Sequence, residues 1–93
     1  MDEFKVIFTK LAEKDLNALD PRTRLRILQS TKGLEAFPFP RGDTVKKLKG
    51  AKIALYRLRV GDFRVVYHMD GRKVVVLFVV ARKDLEKKLK ALL

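Results

Sequence analysis

The spacing of apolar positions changes several times along the chain, and the first change predicts a strand that runs directly into a helix. Phe4–Phe8 alternates apolar and polar positions and is rich in β-forming residues, which is typical of a strand. Thr9 follows at a position suited to a helix N-cap. The helix after it is predicted to have one apolar face, formed by Leu11, Ala12, Leu16 and Leu19.

A second helix is predicted to begin at Asp20-Pro21. Asp is a favoured N-cap and Pro fits the first helical position, so this pair both ends the first helix and opens the next. Pro38 and Pro40 stop the pattern. The short connection predicts a helical hairpin. The buried stripe of the second helix is predicted to consist of Leu25, Leu28 and Leu34.

The second half of the chain predicts three antiparallel strands and a final helix. Residues 38–53 are predicted to be a basic loop with at most a short extended piece. Gly61-Asp62 and Asp70-Gly71 are two-residue hairpin signals between β-rich runs. The runs that they separate are Leu55–Val60, Phe63–Met69 and Lys73–Ala81. After Arg82 the apolar spacing becomes helical, with a stripe of Leu85, Leu89 and Leu92.

These elements predict one α+β domain over residues 1–93. Their order is β-α-α-β-β-β-α, with a small antiparallel sheet, the helical hairpin on one face of the sheet, and a short C-terminal helix. Val74–Val80 is apolar at every position, so this strand is expected inside the sheet and covered on both faces. A length of 93 residues leaves no room for a second domain.

The predicted hairpin brings arginines together. If Gly61-Asp62 is the loop, Arg59 lies directly opposite Arg64, and Arg57 shares their face because side chains alternate along a strand. Two like charges in direct opposition cost about 0.2–1 kcal/mol. One interpretation is an anion site, most naturally for a phosphate. The alternative is a solvated face, or pairing with Asp84 or Glu86. Tyr56 and Tyr67 fall on the opposite face, where we expect the core.

The charge of the chain favours a polyanionic partner. There are 22 Lys and Arg against 11 Asp and Glu, a formal charge of +11, and nearly all of the excess lies in residues 41–93. Nucleic acid, an acidic protein and an anionic membrane surface all fit this distribution. His68, the single histidine, is expected on the arginine face near the far end of the hairpin, where simple exposure is the better interpretation and proton transfer the alternative.

The absence of certain residues and patterns excludes several kinds of protein. The chain has no Cys, which excludes disulfides, thiolate zinc sites and a cysteine nucleophile, and with one histidine no catalytic metal centre or cofactor is expected. The longest apolar run, Val74–Ala81, is eight residues, well short of the roughly 18 that span a bilayer. The acidic start is unlike a secretory signal, so a cytoplasmic location is expected.

The sequence resembles the RelE/ParE superfamily of bacterial and archaeal toxins, in its RelE-like branch, over nearly the full length. The most specific part is the arginine-bearing hairpin, and weaker agreement precedes and follows it. The segments that carry the resemblance are Val6–Thr9 leading into Ala12–Leu16, Lys47–Gly50, Tyr56–Tyr67, Val74–Leu77 and Arg82–Asp84.

The resemblance implies a toxin of a type II toxin-antitoxin system that enters the ribosomal A site and cuts mRNA there, arresting translation. In this family the 2′-hydroxyl of the substrate attacks the adjacent phosphate, so the protein supplies a base, an acid and cations. The resemblance also implies that Arg64 and Arg82 hold the scissile phosphate and that Arg57 and Arg59 bind the RNA backbone or its charge. RNA contacts are expected from Lys47, Lys49, Lys52 and Lys83.

The family also implies partners and leaves alternatives open. The expected partners are an acidic, RelB-like antitoxin with an amphipathic helix, the ribosome and mRNA. No membrane partner is expected. Many relatives carry a histidine where this chain has Ala81 and a tyrosine where it has Glu86, so the proton-transfer residues are not identified. The alternatives are a ParE-like inhibitor of DNA gyrase and a weakly active or inactive relative that still binds an antitoxin.

Overall fold

A computed structural model describes residues 3–92 and confirms the α+β fold. The helices are α1 (Lys10–Asn17), α2 (Pro21–Lys32) and α3 (Leu85–Leu92), and single 3₁₀ turns follow α2 at Gly33–Glu35 and precede α3 at Arg82–Asp84. No helix in the described part of the chain is long and apolar enough to cross a membrane. The strands are β1 (Lys5–Phe8), β2 (Val45–Lys47), β3 (Tyr56–Val60), β4 (Phe63–Asp70) and β5 (Lys73–Ala81).

The strands form one five-stranded sheet in the order β1-β5-β4-β3-β2. The three predicted C-terminal strands are confirmed, and the structure adds β2, a short edge strand inside the segment predicted as a loop, paired antiparallel to β3. β1 pairs with β5 in parallel, so the sheet is mostly rather than wholly antiparallel. The β4–β5 connection consists of Gly71 and Arg72, one residue later than the predicted Asp70-Gly71.

The helical hairpin covers one face of the sheet, as predicted, but with a different side of α2. Leu25 and Leu28, predicted to be buried, are 56% and 38% exposed. Ile27 and Thr31 face the sheet instead, and the Thr31 hydroxyl donates to the Leu28 carbonyl at 2.9 Å. Leu11 of α1 is also exposed, unlike its neighbours on the predicted stripe. The buried set that α1 and α2 contribute is Ala12, Leu16 and Ile27, which Leu34 of the following 3₁₀ turn joins.

The start of α1 completes the open edge of β5. The parallel pairing with β1 stops at Val76, which leaves the remainder of that edge without a strand partner. Thr9 caps α1 by accepting from the Ala12 N–H at 3.1 Å, and its hydroxyl donates to the Leu77 carbonyl at 2.8 Å. The Asp15 carboxylate then accepts from the Val79 N–H at 3.0 Å. Side chains of α1 thus take over the hydrogen bonds that a longer β1 would supply.

The turn between the helices is closed by a guanidinium group. Arg24 donates from Nε to the Leu16 carbonyl at 3.0 Å and from Nη2 to the Leu19 carbonyl at 2.8 Å. The last carbonyls of a helix have no partner within it, and a cation placed there also suits the helix dipole. The Asp20 carboxylate accepts from the Thr23 N–H at 3.0 Å, which confirms the predicted start of α2.

α3 packs on the opposite face of the sheet, over the end of β5. Phe78 is buried on this face, and the Lys88 ammonium lies 5.7 Å from the centre of its ring. A register shift between Val66 and Tyr67 of β4 leaves Leu77 as the additional residue of β5. α3 is docked shallowly, since Leu92 is 56% exposed and Leu85 and Leu89, the other members of the predicted stripe, are only half-buried.

Candidate phosphate-binding cleft

The β3–β4 hairpin has the predicted register. Arg59 lies opposite Arg64, and Arg57 lies opposite Val66, so the three arginines share the face that α3 only partly covers. Gly61 has φ +57° at the first position of the turn, a conformation that favours glycine. Tyr67, on the other face, is fully buried, and its hydroxyl donates to the Pro38 carbonyl at 2.6 Å.

The hairpin turn holds Arg64 in place. Arg64 Nη1 donates to the carbonyls of Gly61 and Phe63, both at 2.9 Å. The residue is 7% exposed, so most of its stem is removed from water. Nη2 makes no hydrogen bond within the described residues, so it can donate to a bound anion. A guanidinium group fixed in this way is a preorganised donor for an anion.

The same turn also positions Arg82. The backbone N–H of Arg82 donates to the Asp62 carbonyl at 2.7 Å, which fastens the 3₁₀ turn after β5 to the tip of the β3–β4 hairpin. Arg82 and Lys83 are both exposed at this junction. Residues about 20 positions apart in the chain are thereby brought to one end of the sheet.

Asp43, from the turn before β2, binds the other two arginines. Arg57 donates from Nη1 to the Asp43 backbone carbonyl at 2.8 Å and from Nη2 to Oδ1 at 3.3 Å. Arg59 Nη1 makes a short ion pair with Asp43 Oδ2, and Lys46 Nζ lies 3.2 Å from Oδ1. The paired acid is therefore Asp43 rather than Asp84 or Glu86, and one carboxylate is shared by three cations.

The electrostatics of the cluster follow from this crowding. Burial, together with the positive charges of Arg57, Arg59 and Arg82, lowers the pKa of Arg64 below its ordinary value. Hydrogen bonds from Lys46 and Arg59 lower the pKa of Asp43 from 3.8 to about 2. Asp43 is thus ionised at neutral pH, and the cluster keeps an excess of positive charge.

These side chains line an open cleft of about 420 Å³ between the hairpin and the start of α3. Five cations and two carboxylates contribute, with one apolar residue at the edge. The cleft is large enough for several phosphate groups, and its field favours anions. The lining residues are Asp43, Arg57, Arg59, Arg64, Arg82, Lys83, Leu85 and Glu86.

Of the eight positions predicted from the sequence, the structure brings five to this cleft: the four arginines and Lys83. Lys47 pairs with Tyr56, so it belongs to the other face of the sheet. Lys49 lines a shallow groove beside Leu89, and Lys52 lines another beside Leu92. These three lysines are exposed, but they are not part of the cleft.

The two positions that the resemblance singles out, Ala81 and Glu86, lie at or near the cleft. Glu86 lines it from α3, and Ala81 pairs with Phe63 at the end of β5. His68 is half-buried opposite Val75, towards the far end of β4, and does not line the cleft. Residues 3–92 contain no cluster of three or more His, Asp or Glu side chains that could hold a metal ion.

Asp43 and Lys46 are the members of the cluster that the sequence interpretation missed. Lys46 lies opposite Arg57 in the β2–β3 pair, so recognition of β2 as a strand would have placed it on the arginine face. Asp43 had no comparable signal, because it reaches the cleft from a turn, across 14 residues from Arg57 and 16 from Arg59.

Comparison with known proteins identifies the family. Residues 6–86 match the family model described as "ParE toxin of type II toxin-antitoxin system, parDE". A comparison with curated protein sequences found no significant match.

Solved structures agree with that match. The archaeal RelE of the RelE–RelB complex from Pyrococcus horikoshii OT3 is 32% identical over 86% of this chain and 96% of that chain, with a TM-score of 0.73. The toxin-antitoxin complex RelBE2 from Mycobacterium tuberculosis gives 28% identity over 86% and 99% of the chains, with a TM-score of 0.75. The isolated E. coli RelE toxin shares the fold at 23% identity, with 97% and 99% covered and a TM-score of 0.62. The chain therefore belongs to the RelE/ParE superfamily and is a toxin of a type II toxin-antitoxin system.

Proposed function

We propose that this toxin is a ribosome-dependent mRNA endoribonuclease, an mRNA interferase that arrests translation. The observation that carries the proposal is the cleft in which Arg57, Arg59, Arg64 and Arg82 converge with Lys83. Such a concentration of cations is costly for a fold and suits a polyanionic substrate. The similarity to RelE toxins suggests that these cations stabilise the negative charge that develops during RNA cleavage.

The proposed chemistry needs little more than charge stabilisation from the protein. The 2′-hydroxyl of the mRNA attacks the neighbouring phosphate, and the phosphorane that develops carries additional negative charge. Arg64, whose side chain is bonded to the hairpin turn, and Arg82, whose backbone is bonded to it, are proposed to bind the scissile phosphate in this state. Donors that are already oriented stabilise such charge without reorganisation.

The proton-transfer groups are not assigned. Arginine is a poor base, since its pKa of about 12 or more keeps it protonated. Glu86 is the carboxylate that α3 contributes to the cleft, at the position where many relatives carry tyrosine. The ribosome is the other possible source of a base or an acid, which fits an activity that depends on the ribosome.

A ParE-like inhibitor of DNA gyrase is the second candidate. It is favoured by the matching family model, which is described as a ParE toxin, and by Ala81 and Glu86, where the resemblance leads us to expect histidine and tyrosine in an RNA-cleaving toxin. Gyrase inhibition needs no proton transfer by the toxin, so it is compatible with these two residues.

Primer extension on mRNA bound to purified ribosomes tests the proposal. We expect discrete cuts at A-site codons with the wild-type toxin and a loss of about 100-fold or more for Arg64→Gln and Arg82→Gln. Arg22→Gln, which removes the same charge from an exposed position on α2, serves as the control and should cut normally. An intact mRNA together with a block of gyrase supercoiling would replace the RNase proposal by the ParE-like one.

The proposed partner is an acidic, RelB-like antitoxin, because the RelE relatives from Pyrococcus horikoshii and Mycobacterium tuberculosis were solved as complexes with antitoxins. Besides the cationic cleft, an apolar groove of about 390 Å³ beside α3 offers leucine-sized contacts, lined in part by Leu11, Ile53, Leu77 and Leu89. An amphipathic antitoxin helix that competes for this groove would displace α3. Hydrogen exchange of α3 amides tests this, since displacement requires faster exchange in the complex and continued docking leaves them protected.

A further inference from the structure

The Asp43 carboxylate occupies the place where an anion would bind between Arg57 and Arg59. Both carboxylate oxygens are engaged, Oδ1 by Arg57 Nη2 and Lys46 Nζ and Oδ2 by Arg59 Nη1. Three cations from two adjacent strands surround one carboxylate, which is the donor arrangement that a phosphate with more oxygens and more charge would satisfy better. The ion pairs leave most of this positive charge uncompensated.

The side chain of Asp43 can leave without dismantling the arginines. It is 57% exposed, so a rotation carries it directly into water. Arg57, only 12% exposed, also donates to the backbone carbonyl of Asp43 at 2.8 Å, and that contact survives a rotation of the carboxylate. The turn itself is closed by hydrogen bonds between Arg41 and Val45, which hold the backbone in place.

We infer that the Asp43 carboxylate is an internal competitor for the RNA phosphate that Arg57 and Arg59, together with Lys46, are expected to bind next to Arg64 and Arg82. This inference rests on the proposed RNA substrate. In the free toxin Asp43 neutralises part of their positive charge and limits repulsion between the arginines. When RNA enters the cleft, a backbone phosphate next to the scissile one replaces the Asp43 carboxylate. The carboxylate then rotates into solvent.

The lowered pKa of Asp43 shows that the surrounding cations stabilise an anion at this place. A purely structural salt bridge at such an exposed position contributes little to stability, since solvent and salt screen it. A carboxylate that competes for substrate groups affects binding much more than stability. The two roles therefore predict different consequences when Asp43 is changed.

The experiment measures binding of a short 2′-O-methyl RNA oligonucleotide to the full-length toxin, which cannot be cut because its 2′-oxygen is blocked. We expect Asp43→Asn to tighten binding about threefold or more, within the range of coupling between contacting groups. Asp84→Asn is the matched control, since it removes the same charge from an exposed position of the neighbouring 3₁₀ turn, outside the cleft lining, without releasing an arginine from an ion pair. Its effect should be clearly smaller.

The gain should also depend on Arg59. In an Arg59→Gln background the Asp43→Asn change should have a markedly smaller effect, because one of the two released guanidinium groups is missing. An equal effect in both backgrounds would reduce Asp43 to a general electrostatic influence and overturn the inference. Weaker binding by Asp43→Asn would also overturn it, since Asp43 would then be orienting the arginines. Asp43→Ser and a thermal melt of each variant guard against misfolding.

Failure of this inference is distinguishable from failure of the proposed function. If Arg64→Gln weakens oligonucleotide binding while Asp43→Asn leaves it unchanged, the result supports an RNA-binding cleft and contradicts the competitor role of Asp43. If Arg64→Gln has no effect on binding and the ribosome assay yields no cuts, the RNA substrate itself is wrong, and so is the competitor role.

Discussion

Arg64 and Arg82 are fastened to successive carbonyls of one turn, Arg64 through its side chain to Gly61 and Arg82 through its backbone N–H to Asp62. The guanidinium group of Arg64 and the backbone of Arg82 are therefore both attached to the hairpin tip. Any change that moves this tip should alter both proposed phosphate donors together.

Arg64 should not be replaceable by lysine. Lysine keeps the charge, but its single ammonium cannot hold the Gly61 and Phe63 carbonyls and also present a planar donor to a phosphate. We expect Arg64→Lys to lower ribosome-dependent cleavage about tenfold or more, between the wild type and Arg64→Gln. Arg72→Lys, in the turn at the other end of β4, is the control. Full activity of Arg64→Lys would mean that charge alone is needed there.

Gly61→Ala should reduce both stability and function. Gly61 has φ +57°, and an added Cβ would lie 3.0 Å from Arg26 Nη1. The left-handed conformation alone costs a non-glycine residue about 1–2 kcal/mol. Gly71→Ala is a matched control, because its φ is +60° and its added Cβ meets nothing within 4 Å.

Urea unfolding and RNA binding together check this prediction. Both alanine variants should lose about 1 kcal/mol or more of unfolding free energy. Only Gly61→Ala should weaken RNA binding under conditions in which both variants are fully folded, because only that turn holds Arg64 and Arg82. Equal binding by the two variants would show that the hairpin tip does not position the cleft.

Asp15 is expected to be important for stability although it lies outside the cleft. Its carboxylate satisfies the Val79 N–H at the open edge of β5. Asp15→Ala leaves that donor without its partner and should cost about 1–3 kcal/mol of unfolding free energy. Asp15→Asn retains an oxygen acceptor and should cost less. A chemical denaturation series on the three proteins tests this order, and an Ala variant as stable as the wild type would contradict it.

Stability should fall slightly in acid through Asp43, because solvent screens most of the effect of its exposed ion pairs. Its pKa is lowered from 3.8 in the unfolded chain to about 2 in the folded protein, so its stabilising contribution is complete above about pH 4 and is lost as the pH falls towards 2. Asp20 adds to the same trend, because its hydrogen bonds from Thr23 also lower its pKa. The melting temperature of Asp43→Asn should therefore depend less on pH than that of the wild type in this window. If the melting temperatures of the two proteins changed equally with pH, the ion pairs of Asp43 would not be present in solution.

The register of the arginine hairpin was predictable from the sequence because a two-residue turn leaves one alignment. Once Gly61 and Asp62 are the loop, alternation places Arg57, Arg59 and Arg64 on one face. The same local reasoning predicted the caps at Thr9 and Asp20, since each acts on a backbone N–H three residues ahead.

The sequence predictions were wrong or incomplete where contacts between residues far apart in the chain determine the structure. On α2 the sequence offers Leu25 and Leu28 as one stripe, but Ile27 and Thr31 are the residues that face the sheet, and Thr31 hides its hydroxyl on a carbonyl of its own helix. Because one of the two buried positions is polar, the apolar pattern of the sequence did not reveal which side of α2 is buried. The Asp43 ion pairs were out of reach for a related reason, since they depend on the turn before a three-residue edge strand.

The parallel pairing of β1 with β5 has a consequence for how the toxin is made. The Thr9 hydroxyl meets the Leu77 carbonyl across a sequence separation of 68 residues, so the first strand has no neighbour until nearly the whole chain has been synthesised. Contacts of such high order are slow to form, because a long loop must close before they are gained. A nascent chain can assemble the arginine hairpin earlier, but the completed sheet beneath it must wait for β5. The fold that supports the cleft is therefore expected to be complete only after nearly the whole chain has been made.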